Sequence, residues 1–418
     1  MVQKSPTRIV ILGGGFGGVM ALQRLHRHLH GRNNVEVTLV DRENHFLFTP
    51  LLHEVATGSI MPENIVEPLR SIAHCRTIRF LEAAVEHIDC DKKIVSTSHG
   101  EQSFDIALVA LGAETNDYGT LGVTKYCFTL KSLSAAVKLK NHIIECLESA
   151  SRETDPAERK RFLTFVIVGG GATGVELAAE LSEFVHGSIQ RFYSGHHSVE
   201  DVRIIVLQKG GELLLPFSPA SRTSSLEALR KKGVEVRFGE GASAVDERVV
   251  HCSSGVIIDT ATPIWVAGVR PSAIDITGDV PRDQSGRIMV GETLQLVNYS
   301  SIFAIGDIAS CLGDGGKPLP QLAQVASRQG PWVADNIIRI LNKKELKPFR
   351  YQSAGNLVSV GRWMAIAELP WITFRGPFAW WLWRTIYLTK LLTWSKRIQV
   401  GLDWFLGLFQ ARDISKWE

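Results

Sequence analysis

The chain has 418 residues, with 46 Lys and Arg against 43 Asp and Glu and a formal charge of +3. That length accommodates two or three domains with large cores, and so small a net charge argues against a nucleic-acid partner. The six cysteines (Cys75, Cys90, Cys127, Cys146, Cys252 and Cys311) are scattered, with no CxxC or CxxxxC pair, so neither a metal nor a redox-active dithiol is expected, and they read as reduced thiols of a cytosolic compartment.

The first strand begins by Arg8, so no signal or transit peptide is expected. Ile9 to Leu12 leads into Gly13-x-Gly15-x-x-Gly18, and an apolar periodic stretch (Val19, Ala21, Leu22, Leu25) follows. This is the strand, phosphate turn and helix order of a dinucleotide-binding unit. Gly13 permits the tight turn, Gly15 lets a pyrophosphate approach the backbone, and Gly18 allows close helix–strand contact, while the helix N-terminus offers free N–H groups to the anion. A second strand, Val35 to Asp41, ends in an acid able to take ribose hydroxyls. The motif alone leaves FAD and NAD(P) both open. Residues 43 to 60 (ENHFLFTPLLHEVATGSI) have little strand or helix period; they are either loops over the cofactor or an ordinary connection. Phe80 to Val85 and Ile94 to Thr97 read as further strands, and Phe104 to Gly112 as a buried strand ending in glycine.

The pattern then starts again. Phe165 to Leu181 repeats the opening motif, with Gly169, Gly171 and Gly174 each 156 residues after Gly13, Gly15 and Gly18. Two Rossmann turns imply two dinucleotides. The matching second strand, Val202 to Leu207, ends at neutral Gln208 where the first unit has Asp41. A carboxylate there would accept from a ribose 2′-OH and repel a 2′-phosphate, and Gln208 does neither strongly. Val234 to Phe238 and Thr262 to Gly268 close this unit. Ser301 to Ala309 (SIFAIGDIA) ends a strand in Gly306-Asp307, which suits a flavin's ribityl-phosphate arm; placed after two nucleotide turns, it makes the first dinucleotide FAD.

Leu322 to Ile338 is helical in period apart from Gly330-Pro331, and on periodicity alone is a plain amphipathic helix. Glu176 sits two residues past Gly174, early in a helix, where the dipole favours any acid. No apolar run approaches the roughly 20 residues of a membrane-spanning helix. The last 56 residues nevertheless hold eight of the ten tryptophans. Pro377 to Trp394 has Thr385, Thr389 and Thr393 spaced like one helix face, and Ile398 to Phe409 is apolar except for Gln399 and Asp403. Wide apolar faces with Trp and a flanking Lys396-Arg397 pair suggest helices lying in a bilayer interface, or a dimerisation or core-packing element.

This combination resembles the two-dinucleotide-binding-domain flavoproteins, and more closely the type II NADH:quinone dehydrogenases. The resemblance is carried by Gly13 to Gly18, Phe48 to Gly58, Gly169 to Leu181, Gly306-Asp307, Pro320 to Gly330 and the aromatic C-terminal segment, and it runs from about Arg8 to Glu418. It implies an α/β fold of two Rossmann-type domains plus a C-terminal amphipathic helical membrane-anchoring segment. The flavin domain would be discontinuous, residues 1–120 and 280–350, with the nicotinamide domain at 121–279 and the anchor at 351–418.

FAD would be held by Gly13, Gly14, Gly15, Phe16, Gly17, Gly18, Asp41, Arg42, Val85, Gly112, Gly306, Asp307, Ala323 and Gln324. NADH or NADPH would bind at Gly169, Gly171, Gly174, Gln208 and Gly268. The resemblance makes Glu176 a proton-relay acid and Gln324 a neighbour of the quinone; Lys390 would turn inward to stabilise anionic reduced flavin. The implied enzyme is a homodimer, peripheral on the cytoplasmic face of the cell membrane, that reduces a membrane quinone. Two departures from the family pattern are Gln208, where NADH-using members carry an acid, and Arg328, where a glutamine is usual. A sulfide:quinone or ferredoxin-type reductase, or a flavin-binding redox sensor without turnover, would share much of the same motif set.

Overall fold

The β-branched run at the start of the chain forms the strand Thr7–Leu12, whose last four residues are buried without alternation. That is the pattern of a parallel strand covered on both faces. The structure, a computed structural model, describes residues 5–72 and 77–416; Cys75 lies outside them. The chain divides into two compact units, each assembled from three segments.

The first unit takes Met1–Leu47, Val66–Glu114 and Val269–Gln352. Its main sheet runs in the order Gln295–Leu296, Tyr299–Ala304, Ile106–Val109, Thr7–Leu12, Val35–Asp41, Ile78–Glu82. All neighbours are parallel except the first pair. Val10, Leu12, Val40, Val109, Ile302 and Ala304 supply one face of its core. The single strand expected over Phe80 to Val85 is instead the end of Ile78–Glu82 and the start of Val85–Asp89, because the chain leaves the parallel sheet there and joins a second, four-stranded one.

On the main sheet the helix Phe16–Leu29 packs against Ala323–Leu341. A Cβ on Gly330 would stand 2.3 Å from the Gly17 carbonyl oxygen, so only glycine permits this approach. Gly330-Pro331, where the sequence departs from the helical period, lies inside one continuous helix. A proline there forfeits one backbone hydrogen bond, and close packing on the neighbouring helix holds the segment helical.

The second unit takes Phe48–Ile65, Thr115–Gly268 and Ser353–Glu418. Its parallel sheet has the order Phe128–Thr129, Thr262–Trp265, Thr164–Val168, Arg203–Gln208, Val234–Phe238. Val166, Ile205 and Trp265 pack with Val245, Val250 and Ile258 of a small antiparallel sheet. The glycines ending corresponding strands, Gly112 and Gly268, repeat the 156-residue offset, with φ of +70° and +97°.

The compact units thus part at different residues from the expected 120, 279 and 350. In particular, the stretch read as loops over the first cofactor contributes Phe48–Ile65 to the second unit. There the short helix Leu52–Ala56 buries all five of its residues, packing on Leu133–Arg152 and Ala172–Ser188.

The C-terminal segment makes a three-stranded antiparallel sheet (Asn356–Ser359, Ala365–Glu368, Thr373–Gly376) and the helices Pro377–Lys390 and Trp394–Leu406. The spacing of Thr385, Thr389 and Thr393 suggests one helix face, but the first helix ends at Lys390 and Thr393 caps the second by accepting from the Lys396 N–H. Trp380 and Trp383 are buried, so part of this segment is core. Among the described residues no helix is long and apolar enough to cross a membrane.

Candidate active site

In the first unit, Gly13 has φ of +106° and a Cβ there would lie 2.3 Å from the Ala110 oxygen; on Gly18 it would lie 1.8 Å from the Gly13 oxygen. Gly15 is different, since a Cβ there meets nothing within 4 Å. The turn therefore closes tightly on the protein side and stays open outward, the shape a pyrophosphate needs. Gly14 packs on Leu69 and Gly17 on Ile305. Phe16 opens the helix and meets the Phe46 ring edge-on at 5.1 Å. Asp41 accepts from the Gly14 N–H at 2.5 Å and the Glu43 N–H at 2.8 Å. Each of its oxygens keeps a second lone pair for a ribose hydroxyl, and burial raises its carboxyl above the ordinary value. Arg42 is exposed, Val85 half-buried.

Gly306-Asp307 is anchored from two sides. The buried Gln329 side chain accepts the Gly306 N–H at 2.8 Å, and Gln321 donates to the Asp307 carbonyl at 2.8 Å. Ala323 and Gln324 open the Ala323–Leu341 helix, where backbone N–H groups and the positive dipole end point outward. Arg328 is exposed and turned aside, its guanidinium 5.6 Å from the Tyr351 ring centre and donating to the Gln352 carbonyl.

The second unit repeats this cradle. Gly169 has φ of +119°, a Cβ on Gly174 would stand 1.9 Å from the Gly169 oxygen, and a Cβ on Gly171 meets nothing within 4 Å. Gln208 accepts the Gly170 N–H at 2.9 Å, as Asp41 does that of Gly14. The two residues thus brace their turns identically, and only Asp41 brings a charge. The glycine cradles and their outward-facing side chains fit one dinucleotide each.

Glu176, on the Ala172–Ser188 helix, is buried within the second unit among other titratable groups. Its Oε1 accepts the Ser359 N–H at 3.1 Å, and His53 Nδ1 lies 3.8 Å from Oε2. Glu54 Oε2 accepts from the Trp404 indole at 2.6 Å; Glu180 accepts from Ser59 at 3.2 Å and from Arg412 at 2.5 Å. Arg384 is sandwiched between the Trp380 and Trp404 rings, 3.6 and 4.8 Å from their centres. Tyr387 stacks on Trp383 at 4.3 Å.

Burial pushes the Glu176 carboxyl up to about 8, helped by the charges of Glu54 and Glu180 and opposed by the Ser359 bond. Burial and Glu180 also raise Glu54. Burial alone would raise Glu180 too, but Arg412, by charge and hydrogen bond, and Arg384 outweigh it and hold that carboxyl low. Burial brings His53 down to about 4 and Arg384 down to about 10. The cluster therefore stores a proton on Glu176 at neutral pH while Glu180 stays ionised beside two arginines. A groove of about 1150 Å³ borders it, lined by Glu180, Arg384, Trp404 and Arg412 along with Met61 and Phe184.

The sequence reading placed Glu176 but missed His53, Glu54, Glu180, Arg384 and Arg412. One signal was available: Glu176 and Glu180 stand four apart, hence on one face, with apolar Val175, Leu177, Ala178, Ala179 and Leu181 around them. Lys390, expected to turn inward, is exposed at the C-terminal end of its helix. A lysine suits the negative dipole end there and stays hydrated; the cation of that helix that turns toward the cluster is the half-buried Arg384. Glu176 and Gln324 belong to different compact units. Of the cysteines, Cys90, Cys127, Cys146, Cys252 and Cys311 are free, and burial raises each thiol, which suppresses the reactive thiolate.

Residues 7–330 match the family model described as pyridine nucleotide-disulphide oxidoreductase, and residues 354–413 match the NDH2 C-terminal domain. The chain is 32% identical to a protein of Dictyostelium discoideum named probable NADH dehydrogenase, over 98% of this chain and 91% of that one. It is 31% identical to the type II NADH:quinone oxidoreductase Ndh of Mycobacterium tuberculosis, over 97% and 89%. Among solved structures, NDH2 from Plasmodium falciparum in complex with NADH superposes with a TM-score of 0.90 at 20% identity, over 98% of this chain and all of that one.

Proposed function

Since the chain belongs to the pyridine nucleotide-disulphide oxidoreductase family and, within it, to the type II NADH:quinone oxidoreductases, we propose that it takes a hydride from NAD(P)H onto FAD and passes two electrons to a membrane quinone. The observation that carries this reading is the duplicated cradle, one tight-backed and outward-open turn in each unit. The flavin supplies the hydride acceptor and the two-electron donor. The chain's own residues bind, orient and protonate.

Gly13 to Gly18 and Asp41 would hold the adenosine diphosphate part of FAD and Gly306-Asp307 its ribityl arm, and the positive dipole end of the helix start at Ala323-Gln324 would favour an anionic ring. The turn at Gly169 to Gly174 holds NAD(P)H. Quinone becomes quinol only by taking protons with its electrons. Glu176, protonated at neutral pH and buried, would be the proton donor in this proposal. The unpartnered buried Nε2 of His53 and Nε of Arg384 leave polar capacity in the same cluster for water.

The membrane side of the proposal rests on the helix Trp394–Leu406 and the residues just after it. Trp394, Ile398, Leu402, Phe405 and Phe409 form one exposed row, while Val400 and Trp404 face the protein. Asp403, one of the two polar residues of the apolar stretch Ile398 to Phe409, accepts from the Met61 N–H and the Asn64 side chain. The exposed face is thus the apolar one, which suits peripheral docking in a bilayer interface. A homodimer on the cytoplasmic face of the cell membrane belongs to the same proposal.

Steady-state oxidation of NADH with a short-chain quinone, by protein purified with its flavin, tests the reading. Turnover with one quinol formed per NADH is expected. Flavin that bleaches with NADH but is not reoxidised by quinone would overturn it.

A further inference from the structure

Tyr118 has a left-handed backbone, φ +50°, and is 67% exposed. Both features are unfavourable for a bulky aromatic residue, yet its turn is held from several sides. Asn116 accepts the Tyr118 N–H at 2.9 Å; Asp117 accepts the Gly119 N–H at 3.1 Å and the Thr124 hydroxyl at 3.3 Å. The Asn116 N–H donates to the Gly268 carbonyl at 3.2 Å, and the Trp265 indole donates to the Asn116 carbonyl at 2.8 Å. These bonds clamp the turn onto the carboxyl end of the Thr262–Trp265 strand. The Tyr118 hydroxyl lies over Gly268, 2.2 Å from where a Cβ would stand.

That strand end borders the nucleotide turn, because a Cβ on Gly169 would lie 2.9 Å from the Ala267 Cα. In a Rossmann unit the dinucleotide lies across the carboxyl ends of the strands where their order reverses, with its pyrophosphate on the central turn. Gln208 ends the neighbouring strand on the adenosine side. Thr262–Trp265 flanks the central Thr164–Val168 strand on the opposite side, which is the nicotinamide side. Strain maintained by a surrounding set of bonds is characteristic of ligand clamps.

We propose that Tyr118 is a binding residue for the nicotinamide-riboside half of NAD(P)H, its ring packing against that half and its hydroxyl donating to the ribose. The assignment rests on the reading that the second turn binds NAD(P)H. It explains why an exposed tyrosine is held in a strained turn over a glycine.

Calorimetric titration of the oxidised holoenzyme with NAD+ reads binding without turnover, and ADP serves as a probe lacking the nicotinamide riboside. In Tyr118→Ala the Kd for NAD+ should rise about tenfold, the scale of one lost aromatic contact, with the Kd for ADP unchanged. Tyr118→Phe should recover most of that affinity. The KM for NADH should rise in Tyr118→Ala while the KM for quinone stays put. Unchanged NAD+ affinity, or equal loss for NAD+ and ADP, would overturn the assignment. Gly171→Val separates the two levels: if it still binds NAD+ normally, the second turn is not the nucleotide site and both readings fail.

Discussion

His53 Nδ1 lies 3.8 Å from Glu176 Oε2 with both side chains buried, and the pair is neutral at pH 7. Distance alone would suggest an ion pair. Burial instead lowers His53 to about 4 and raises Glu176 to about 8, so the imidazole is uncharged and the carboxyl protonated. A quinone half-reaction that draws its proton from Glu176 should slow above about pH 8, whereas bleaching of the flavin by NADH needs no acid. Glu176→Gln should slow reoxidation by quinone about 100-fold or more and leave anaerobic bleaching largely intact in stopped-flow traces. The reverse pattern would put Glu176 on the nicotinamide side.

The same residue links pH to stability. Its folded pKa is raised, so its contribution is complete below the unfolded value of about 4.3 and is lost as pH rises through about 8. His53 runs the other way: its contribution is complete above about 6.5 and is lost as pH falls through about 4. Between these windows, from about pH 6.5 to about 8, Glu176 acts without His53. There the wild type should lose stability relative to Glu176→Gln by up to about 1.4 kcal/mol per pH unit. Scanning calorimetry of both proteins at pH 6.5 and 8.0 checks it; parallel Tm profiles would mean that Glu176 is already ionised in the fold.

Gly15 tests the flavin cradle cleanly. A Cβ there meets no protein atom within 4 Å, so Gly15→Val should fold, yet its side chain occupies the pyrophosphate's approach. Colourless protein with an intact circular dichroism spectrum is expected. A yellow, FAD-replete variant would place the flavin elsewhere.

Gln208 braces Gly170 just as Asp41 braces Gly14, so in the proposed NAD(P)H site it would act on nucleotide preference by its missing charge rather than by geometry. Gln208→Glu keeps the brace and adds a charge that repels a 2′-phosphate. The ratio of kcat/KM for NADH over NADPH should rise about fivefold, as roughly 1 kcal/mol of screened repulsion gives. An unmoved ratio would show that residue 208 does not face the ribose.

Membrane docking is best probed on the exposed row, since removing the chain from Gly376 onward would also take Trp383, Arg384 and Trp404 out of the buried cluster. Leu402→Glu with Phe405→Glu replaces two apolar side chains, each worth about 1.5–3 kcal/mol when buried. The double variant should leave the membrane fraction by a factor on the order of 100 while retaining flavin and activity toward a water-soluble quinone. Continued sedimentation with membranes would locate the docking surface elsewhere.

By itself the sequence determined the two nucleotide turns and the strands that carry them. Their requirements are local: glycines at fixed spacing where a Cβ would strike the turn's own carbonyl, and β-branched runs long enough for a buried parallel strand. Only the tertiary structure decided what lies around Glu176. The Glu54–Trp404 bond joins residues 350 apart in the chain, and Arg412 reaches Glu180 across 232. No periodicity records such meetings, so His53 and Glu54, from a stretch with little strand or helix period, came to lie buried beside Glu176 and Glu180. The anchor shows the same division. Apolar spacing announced an amphipathic segment over Ile398 to Phe409, which the structure makes part of the helix Trp394–Leu406 and the turn after it, but which face turned outward depended on Asp403 finding Met61 and Asn64 inside the fold, which left Leu402 and Phe405 facing out.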